Sequence, residues 1–262
     1  MTDLTHEVIG AGAPILFVPA AIGDRRQWDA LRDDLARDHL VITYDVRAYG
    51  DSPDPTQDYF DHEDAIAVLA AYDVDHALVV GASNGGRIAA DLAAAAPDHV
   101  TALVLIGPAL PGVSWEPWPD TVAQLERAEA LLEAGDVEAA TAVDVEVFIV
   151  GSGRTRSDVD AMFLDDGQRW ARATLERERT HMDAGEPQEI DPPLRERLGQ
   201  IEVATAVLVG AHDHPRMQEI AHRYADGIPG ASLEVVEGTA HLPHVERPDV
   251  VAAAVRRHES RS

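Results

Sequence analysis

The stretch from residue 77 to residue 86, ALVVGASNGG, predicts the fold of the chain. Its apolar first half is typical of a buried strand, and the Ala-rich pattern NGGRIAADLAAAA that begins at Asn84 is typical of a helix. Gly81, Ser83 and Gly85 match Gly-x-Ser-x-Gly, the pattern of a serine at a sharp turn from strand to helix. Glycine allows the strand and the helix to approach closely. The stretch therefore predicts a strand, a tight turn and a helix, with Ser83 either as a nucleophile or as a helix cap.

Short apolar runs alternate with helical patterns along much of the chain, as in a mostly parallel sheet flanked by helices. The predicted strands are residues 15–18, 40–45, 77–81, 102–107, 205–210 and 232–236. The alternation stops at residues 108–197, which contain a segment rich in Pro and Trp, several helical patterns and one ambiguous apolar run at 145–150. We therefore expect an α/β core formed by residues 1–107 and 198–262, with residues 108–197 inserted as a helical lid.

The composition excludes several classes of function. The 262 residues include 47 acidic and 21 basic side chains, all of the latter Arg, and the formal net charge is −26. Such a charge disfavours nucleic acids and anionic membranes as partners. Because the chain has no cysteine, it has neither a disulfide nor a thiolate metal site. The first ten residues, MTDLTHEVIG, do not resemble a secretory signal. We expect a cytoplasmic protein, monomer or homodimer, that acts on a small molecule without a cofactor.

A serine hydroxyl becomes a good nucleophile when an imidazole takes its proton and a carboxylate holds the other imidazole nitrogen. The segments AHDHP and GTAHLPH follow the last two predicted strands. They place Asp213 and His241 in loops after those strands, in the chain order serine, acid, histidine that belongs to this kind of turn. We therefore predict that His241 is the base for Ser83 and that Asp213 orients His241.

Other histidines nearby leave two alternatives. His244 follows His241 by three residues and competes with it for the role of base, although a polar residue near the last helix would look the same. His212 and His214 flank Asp213, and together with His241 they contain the donor atoms that zinc or iron prefers. No regular element would place His212 and His214 on one face, so we expect no metal site.

The chain resembles the α/β-hydrolase family, in particular its single-domain esterases, lactonases and enol-lactone hydrolases with a helical lid. The resemblance runs from Ile15 to Arg257. It rests on GASNGG (81–86), GAHDHP (210–215), GTAHLPHVERPD (238–249) and YDVRAYGDSP (44–53). In the last of these, relatives commonly have glycine at the position of Ala48. The resemblance implies the α/β-hydrolase fold and assigns Ser83 as nucleophile, His241 as base and then acid, and Asp213 as the group that orients His241.

The resemblance also implies an oxyanion hole, formed by the backbone N–H groups of Asn84 and Ala21. Ala21 lies in the loop VPAAIGDRRQW (18–28), where relatives commonly have His-Gly-x. In this chain Pro19 and Ala20 occupy the positions of that His and Gly, so the loop has less backbone freedom than in relatives.

Ligand pockets are usually lined by apolar side chains, and the predicted lid contains several large ones that could instead form its own core. The predicted substrate-binding residues are Ala20, Trp115, Trp118, Phe163 and Trp170.

These residues predict a serine hydrolase that cleaves a carboxylic ester or lactone of a small, largely apolar substrate through an acyl-enzyme on Ser83. The same three residues would serve a cofactor-free haloperoxidase or perhydrolase, or a carbon–carbon bond hydrolase. A receptor that binds a small ligand on the same scaffold without catalysis is a further alternative, because a fold does not determine a function.

Overall fold

The computed structural model describes residues 2–114, 116–180 and 185–259, and within them seven strands form one sheet. The strands are β1 (His6–Gly10), β2 (Ala13–Val18), β3 (His39–Tyr44), β4 (Ala77–Ala82), β5 (Val100–Ile106), β6 (Ala204–Gly210) and β7 (Ser232–Val236). Their order across the sheet is β1-β3-β2-β4-β5-β6-β7, and every neighbouring pair is parallel except β1 with β3. The mostly parallel sheet predicted from the sequence is confirmed.

Helices cover both faces of this sheet. Alternate residues of β2 show the division, because Ile15 and Phe17 belong to one hydrophobic core and Leu16 and Val18 to the other. The helices on these faces are α1 (Asp29–Leu35), α2 (Asp61–Ala70), α3 (Asn84–Ala95), α8 (Pro215–Gly227), α9 (Pro243–Glu246) and α10 (Pro248–Glu259). α1 and α10 contribute to the first core, and α2, α3 and α8 contribute to the second. Burial on both faces explains why the central strands are apolar throughout.

A helical insert lies between β5 and β6. It contains α4 (Pro119–Glu133), α5 (Val137–Asp144), a π-helix (Val145–Val150), α6 (Ala161–Thr180) and α7 (Leu194–Arg197). The apolar run at 145–150 is thus helical and not a strand. Its buried side chains pack in the same core as Phe163 and Trp170 of α6, so this part of the insert is joined to one face of the sheet. Among the described residues, no helix is long and apolar enough to cross a membrane.

Strand β1 is absent from the sequence prediction. Its five residues, HEVIG, are half-buried or exposed and form an antiparallel edge with β3. A strand this short, with none of its side chains fully buried, leaves no apolar run to recognise. The sequence pattern at residues 26–36 predicts a helix, but the first turn there is a 3₁₀-helix (Arg25–Trp28). It begins where Asp24 accepts the N–H of Arg26 at 2.9 Å.

The loop after β3 is held by the buried carboxylate of Asp45. That carboxylate accepts the backbone N–H groups of Arg25 and Asp51, each at 2.8 Å, and the Ser52 hydroxyl donates to the Asp45 carbonyl at 2.6 Å. Within this loop Ala48 has φ of 67°. A side chain with a Cβ is strained in this left-handed conformation, which accounts for the glycine that relatives commonly have here.

Replacing Ala48 by glycine relieves that strain at the cost of some conformational entropy. We expect Ala48→Gly to raise the free energy of unfolding by about 0.5–1 kcal/mol, measured by urea denaturation. Ala71→Gly is the matched control, because Ala71 is exposed and has φ of −63°. It should be neutral or destabilising, and a gain at Ala71 equal to that at Ala48 would contradict the explanation.

Candidate active site

Ser83 stands at the sharp turn between β4 and α3, with φ of 52° and ψ of −118°. Its N–H donates to the carbonyl of Ile106 at 2.8 Å, which fixes the turn against β5. A Cβ on Gly81 would lie 2.2 Å from the carbonyl oxygen of Gly85, and a Cβ on Gly85 would lie 2.2 Å from the carbonyl oxygen of Val18. Only glycine fits at either position, so the turn that the sequence predicts is the one the structure has.

Asp213 and His241 meet at the same edge of the sheet, after β6 and β7. His241 Nδ1 donates to Asp213 Oδ2 at 2.9 Å, and Asp213 Oδ1 also accepts the N–H of His214 at 2.7 Å. The carboxylate is fully buried and His241 is 2% exposed. A proton held on Nδ1 by a buried carboxylate leaves Nε2 as the basic nitrogen of the ring.

Ser83 and His241 line one cavity of about 170 Å³. The other residues around it are Ala21, Ile22, Asp144, Phe148, Ala171, Thr174, Leu175 and Glu178. Within the described ranges, Ser83 Oγ makes no hydrogen bond to another residue. A hydrogen bond between nucleophile and base commonly forms only when substrate closes the site. The structure therefore brings together the three residues that the sequence predicts as nucleophile, base and orienting acid.

Gly107, at the end of β5, was not singled out in the sequence. Its φ is 46°, and a Cβ there would lie 3.2 Å from Asp213 Oδ2 and 3.4 Å from His241 Nδ1. Its N–H donates to the carbonyl of Leu208 in β6 at 2.7 Å. The available signal was a glycine at the end of a predicted strand, at the edge of the sheet where the predicted site residues converge.

The loop with the predicted oxyanion donor Ala21 is held by the buried side chain of Gln27. Gln27 Oε1 accepts the N–H of Ala20 at 3.2 Å, and Gln27 Nε2 donates to the carbonyl of Ala20 at 3.4 Å. The N–H of Ala20 is therefore occupied. The N–H of Ala21 has no partner among the described residues and Ala21 lines the Ser83 cavity. Relatives commonly have glycine at the position of Ala20, which leaves the backbone flexible. In this chain Gln27 holds that backbone in place.

The other predicted oxyanion donor, Asn84, is the first residue of α3, where backbone N–H groups have no partner within the helix. Asn84 lines a neighbouring cavity of about 460 Å³ and is not among the residues that line the Ser83 cavity. There Asn84 Oδ1 accepts Arg87 Nε at 2.9 Å, and Arg87 also pairs with the buried carboxylates of Asp61 and Asp91. The Asn84 side chain therefore anchors the start of α3.

Of the five predicted substrate-binding residues, Trp115 is outside the described residues, and the other four lie away from the Ser83 cavity. Phe163 and Trp170 are buried in the core between the insert and the sheet, and Trp118 packs edge-on against His214. Ala20 is buried within its own loop. None of these four lines the Ser83 cavity.

The residues of the insert that do line this cavity come from α5, the π-helix and α6. Asp144, Phe148, Leu175 and Glu178 were not predicted, because the large apolar residues that suited a pocket belong to the core of the insert instead. Thr174 of α6 reaches the oxyanion loop, where its hydroxyl donates to the carbonyl of Ala21 at 3.4 Å.

The rival histidines all have other partners. His214 Nδ1 accepts the N–H of Arg216 at 3.1 Å, and its Nε2 meets the hydroxyl of Thr121, so neither ring nitrogen is free. Burial lowers the pKa of His214. His212 Nδ1 donates to the carbonyl of Ser152 at 2.9 Å. In the part of the chain that the structure describes, no three metal-ligating side chains come together.

His244 is fully buried, with its ring 4.2 Å from that of Trp28. Its Nε2 donates to Gln27 Oε1 at 3.3 Å, while Nδ1 is buried without a partner among the described residues. Burial, with a smaller contribution from His241, lowers the pKa of His244 to about 3. A neutral, buried ring bonded to Gln27 indicates a structural role, in which His244 supports the side chain that holds the Ala20–Ala21 loop.

Comparison with known proteins agrees with this geometry. A sequence model of the α/β hydrolase fold matches residues 13–248. Among curated proteins, the chain is 29% identical to RutD of Azorhizobium caulinodans, which is named for carbamate hydrolysis, over 95% of this chain and 91% of that one. It is 26% identical to esterase YbfF of Escherichia coli, over 94% and 92%. A solved hydrolase from Pseudomonas aeruginosa superimposes with a TM-score of 0.77 at 25% identity, covering 97% and 93%.

The burial of His244 predicts a dependence of stability on pH. An unfolded chain takes up this proton near pH 6.5, whereas the folded protein resists it until about pH 3. The contribution to stability is therefore full above pH 6.5 and is lost as the pH falls below it. We expect protonation of His244 in the unfolded chain to lower the free energy of unfolding by about 2 kcal/mol between pH 7.5 and pH 5.

His244→Phe should remove that part of the pH dependence, because phenylalanine keeps the ring contact with Trp28 and does not titrate. Urea denaturation at pH 7.5 and pH 5 measures it. His76→Phe, the same substitution at an exposed histidine, serves as control. Equal pH dependence in wild type and His244→Phe would show that His244 does not cause it.

Proposed function

The chain belongs to the α/β-hydrolase family and is a hydrolase, and on that premise we propose that it cleaves small carboxylic esters or lactones through an acyl-enzyme on Ser83. The observation that carries the proposal is the placement of Ser83 and His241 on one cavity, with His241 Nδ1 bonded to the buried carboxylate of Asp213. Esterases among the relatives support the same reaction class.

In the proposed first step, His241 Nε2 removes the proton of Ser83 as its Oγ bonds to the carbonyl carbon. The N–H groups of Ala21 and Asn84 donate to the oxygen that becomes negative. The carbon–oxygen bond to the alcohol then breaks, and the proton on Nε2 passes to the departing oxygen. A water molecule, deprotonated by His241, repeats the sequence and releases the acid. Asp213 stabilises the imidazolium in both steps.

The position of Ser83 at the start of α3 adds to this chemistry. The first turn of an α-helix directs partial positive charge and free N–H groups at its N-terminal end. α3 runs for 12 residues, long enough for that effect to be felt at the carbonyl oxygen. The site therefore provides a nucleophile, a base and a positive environment for the oxyanion at one point.

Ser83→Ala tests the proposal. We expect hydrolysis of p-nitrophenyl acetate to fall by at least about 10³-fold, with unfolding unchanged, and a fluorophosphonate probe to label wild type but not the variant. Ser157→Ala, an exposed serine of the insert, is the control and should keep both properties. Unchanged turnover in Ser83→Ala would refute the assignment, and a folded wild type that neither reacts with the probe nor turns over the ester would favour a receptor.

Gln27→Met tests the oxyanion loop, because methionine keeps the volume but cannot bond to Ala20. We expect kcat to fall by about 10-fold to 100-fold, less than the loss of a whole oxyanion donor, while KM changes little. Gln200→Met, on an exposed glutamine, is the matched control. A KM effect without a kcat effect would assign Gln27 to substrate binding instead.

A further inference from the structure

The cavity beside Ser83 is mostly apolar, yet it contains two carboxyl groups that the reaction described above does not use. Asp144 is the last residue of α5, and Glu178 lies near the end of α6. Ile22, Phe148 and Leu175 form much of the remaining wall. A role for these carboxyl groups in choosing the substrate rests on the proposed function, because it takes Ser83 as the nucleophile.

Neither carboxyl group has a partner in the part of the protein that the structure describes. Asp144 and Glu178 make no hydrogen bond or ion pair with any residue in the described ranges. Arg177, the neighbour of Glu178 in the chain, is already engaged. It donates to the carbonyl of Gly50 at 2.5 Å and to Asp54 at 2.8 Å. Negative charge in this cavity is therefore left without a countercharge from the described part of the protein.

Both carboxyl groups have a raised pKa, as expected where no positive charge lies nearby. Burial, together with the negative charge of Glu178, raises the pKa of Asp144 to about 6. Partial burial also raises the pKa of Glu178, although this residue keeps an exposed surface. A positively charged group between them would remove this penalty, since opposite charges favour the ionised form of a carboxyl.

The position of His241 shows which half of the substrate would meet these groups. His241 must give its proton to the departing alcohol oxygen, so the alcohol lies on the side of the turn where His241 lines the cavity. Asp144 and Glu178 line that same cavity. The neighbouring 460 Å³ cavity, which shares Ala21 and Glu178 with it and is lined by Asn84, remains for the acyl half.

The ring of Phe148 completes the arrangement. It lies 5.3 Å from the ring of His241, and Phe148 belongs to the π-helix that continues directly from α5. An aromatic face attracts a cation, most strongly a quaternary ammonium whose charge is poorly hydrated. We propose that the alcohol half of the substrate carries a quaternary or tertiary ammonium group, bound between Asp144 and Glu178 and against Phe148.

Two acetate esters of the same shape test this. The choline ester carries a trimethylammonium group, and the 3,3-dimethylbutyl ester has carbon in place of the nitrogen. We expect kcat/KM for the choline ester to be at least about tenfold higher. In Asp144→Asn/Glu178→Gln the ratio should fall severalfold, because only the contact with Phe148 remains. Each ratio is taken within one protein, so a loss of folded material cancels.

The matched control removes two negative charges elsewhere. Glu126→Gln/Glu129→Gln changes exposed residues of α4 that do not line the cavity, so it corrects for the net charge of −26. This control should keep the wild-type ratio. A wild-type ratio near one, no hydrolysis of the choline ester, or a ratio that falls equally in the control would overturn the inference.

These outcomes are separable from failure of the proposed function. If wild type hydrolyses the neutral ester and Ser83→Ala does not, the esterase proposal stands whatever the ratio is. If neither ester reacts and the fluorophosphonate probe fails to label Ser83, both proposals are wrong.

Discussion

The backbone of Ser83 is held in a left-handed conformation between a strand and a helix, and the remainder of the site is arranged around that constraint. Such a conformation costs about 1–3 kcal/mol for a residue with a side chain, so the surroundings must hold it firmly. β4 is the central strand of seven and α3 packs directly on it through Gly81 and Gly85. Burial of both elements stabilises the turn, and the close contact with Val18 brings the oxyanion loop to the same place.

Local pattern was enough to predict much of this from sequence. The strand, turn and helix around Ser83 depend on neighbours within a dozen residues. The helix begins at Asn84, where the Ala-rich pattern begins. Asp213 and His241 were also predicted, because loops after parallel strands share one edge of the sheet. The family resemblance contributed the two proposed oxyanion donors, whose backbone N–H groups no sequence pattern reveals directly.

The residues that were missed depend on contacts between distant parts of the chain. Gln27 was not singled out because its role exists only when its side chain folds back on Ala20. Asp144 and Glu178 lie in helices whose sequence shows only an apolar and a polar face. How the insert packs on the sheet decides which polar residues line the Ser83 cavity. For the same reason Phe163 and Trp170 were predicted to bind substrate, because large apolar side chains suit a pocket as well as the core that they occupy.

The hydroxyl of Thr174 bonds to the carbonyl of Ala21, and Trp170 packs close to Gly23 in the same loop. The helix that forms one wall of the cavity therefore also supports the backbone proposed to bind the oxyanion. Changes to this helix would therefore affect substrate preference and reaction rate together. A chimera that took its insert from a relative would exchange both at once, and evolution of a new specificity along this helix would be limited to changes that leave the loop where it is.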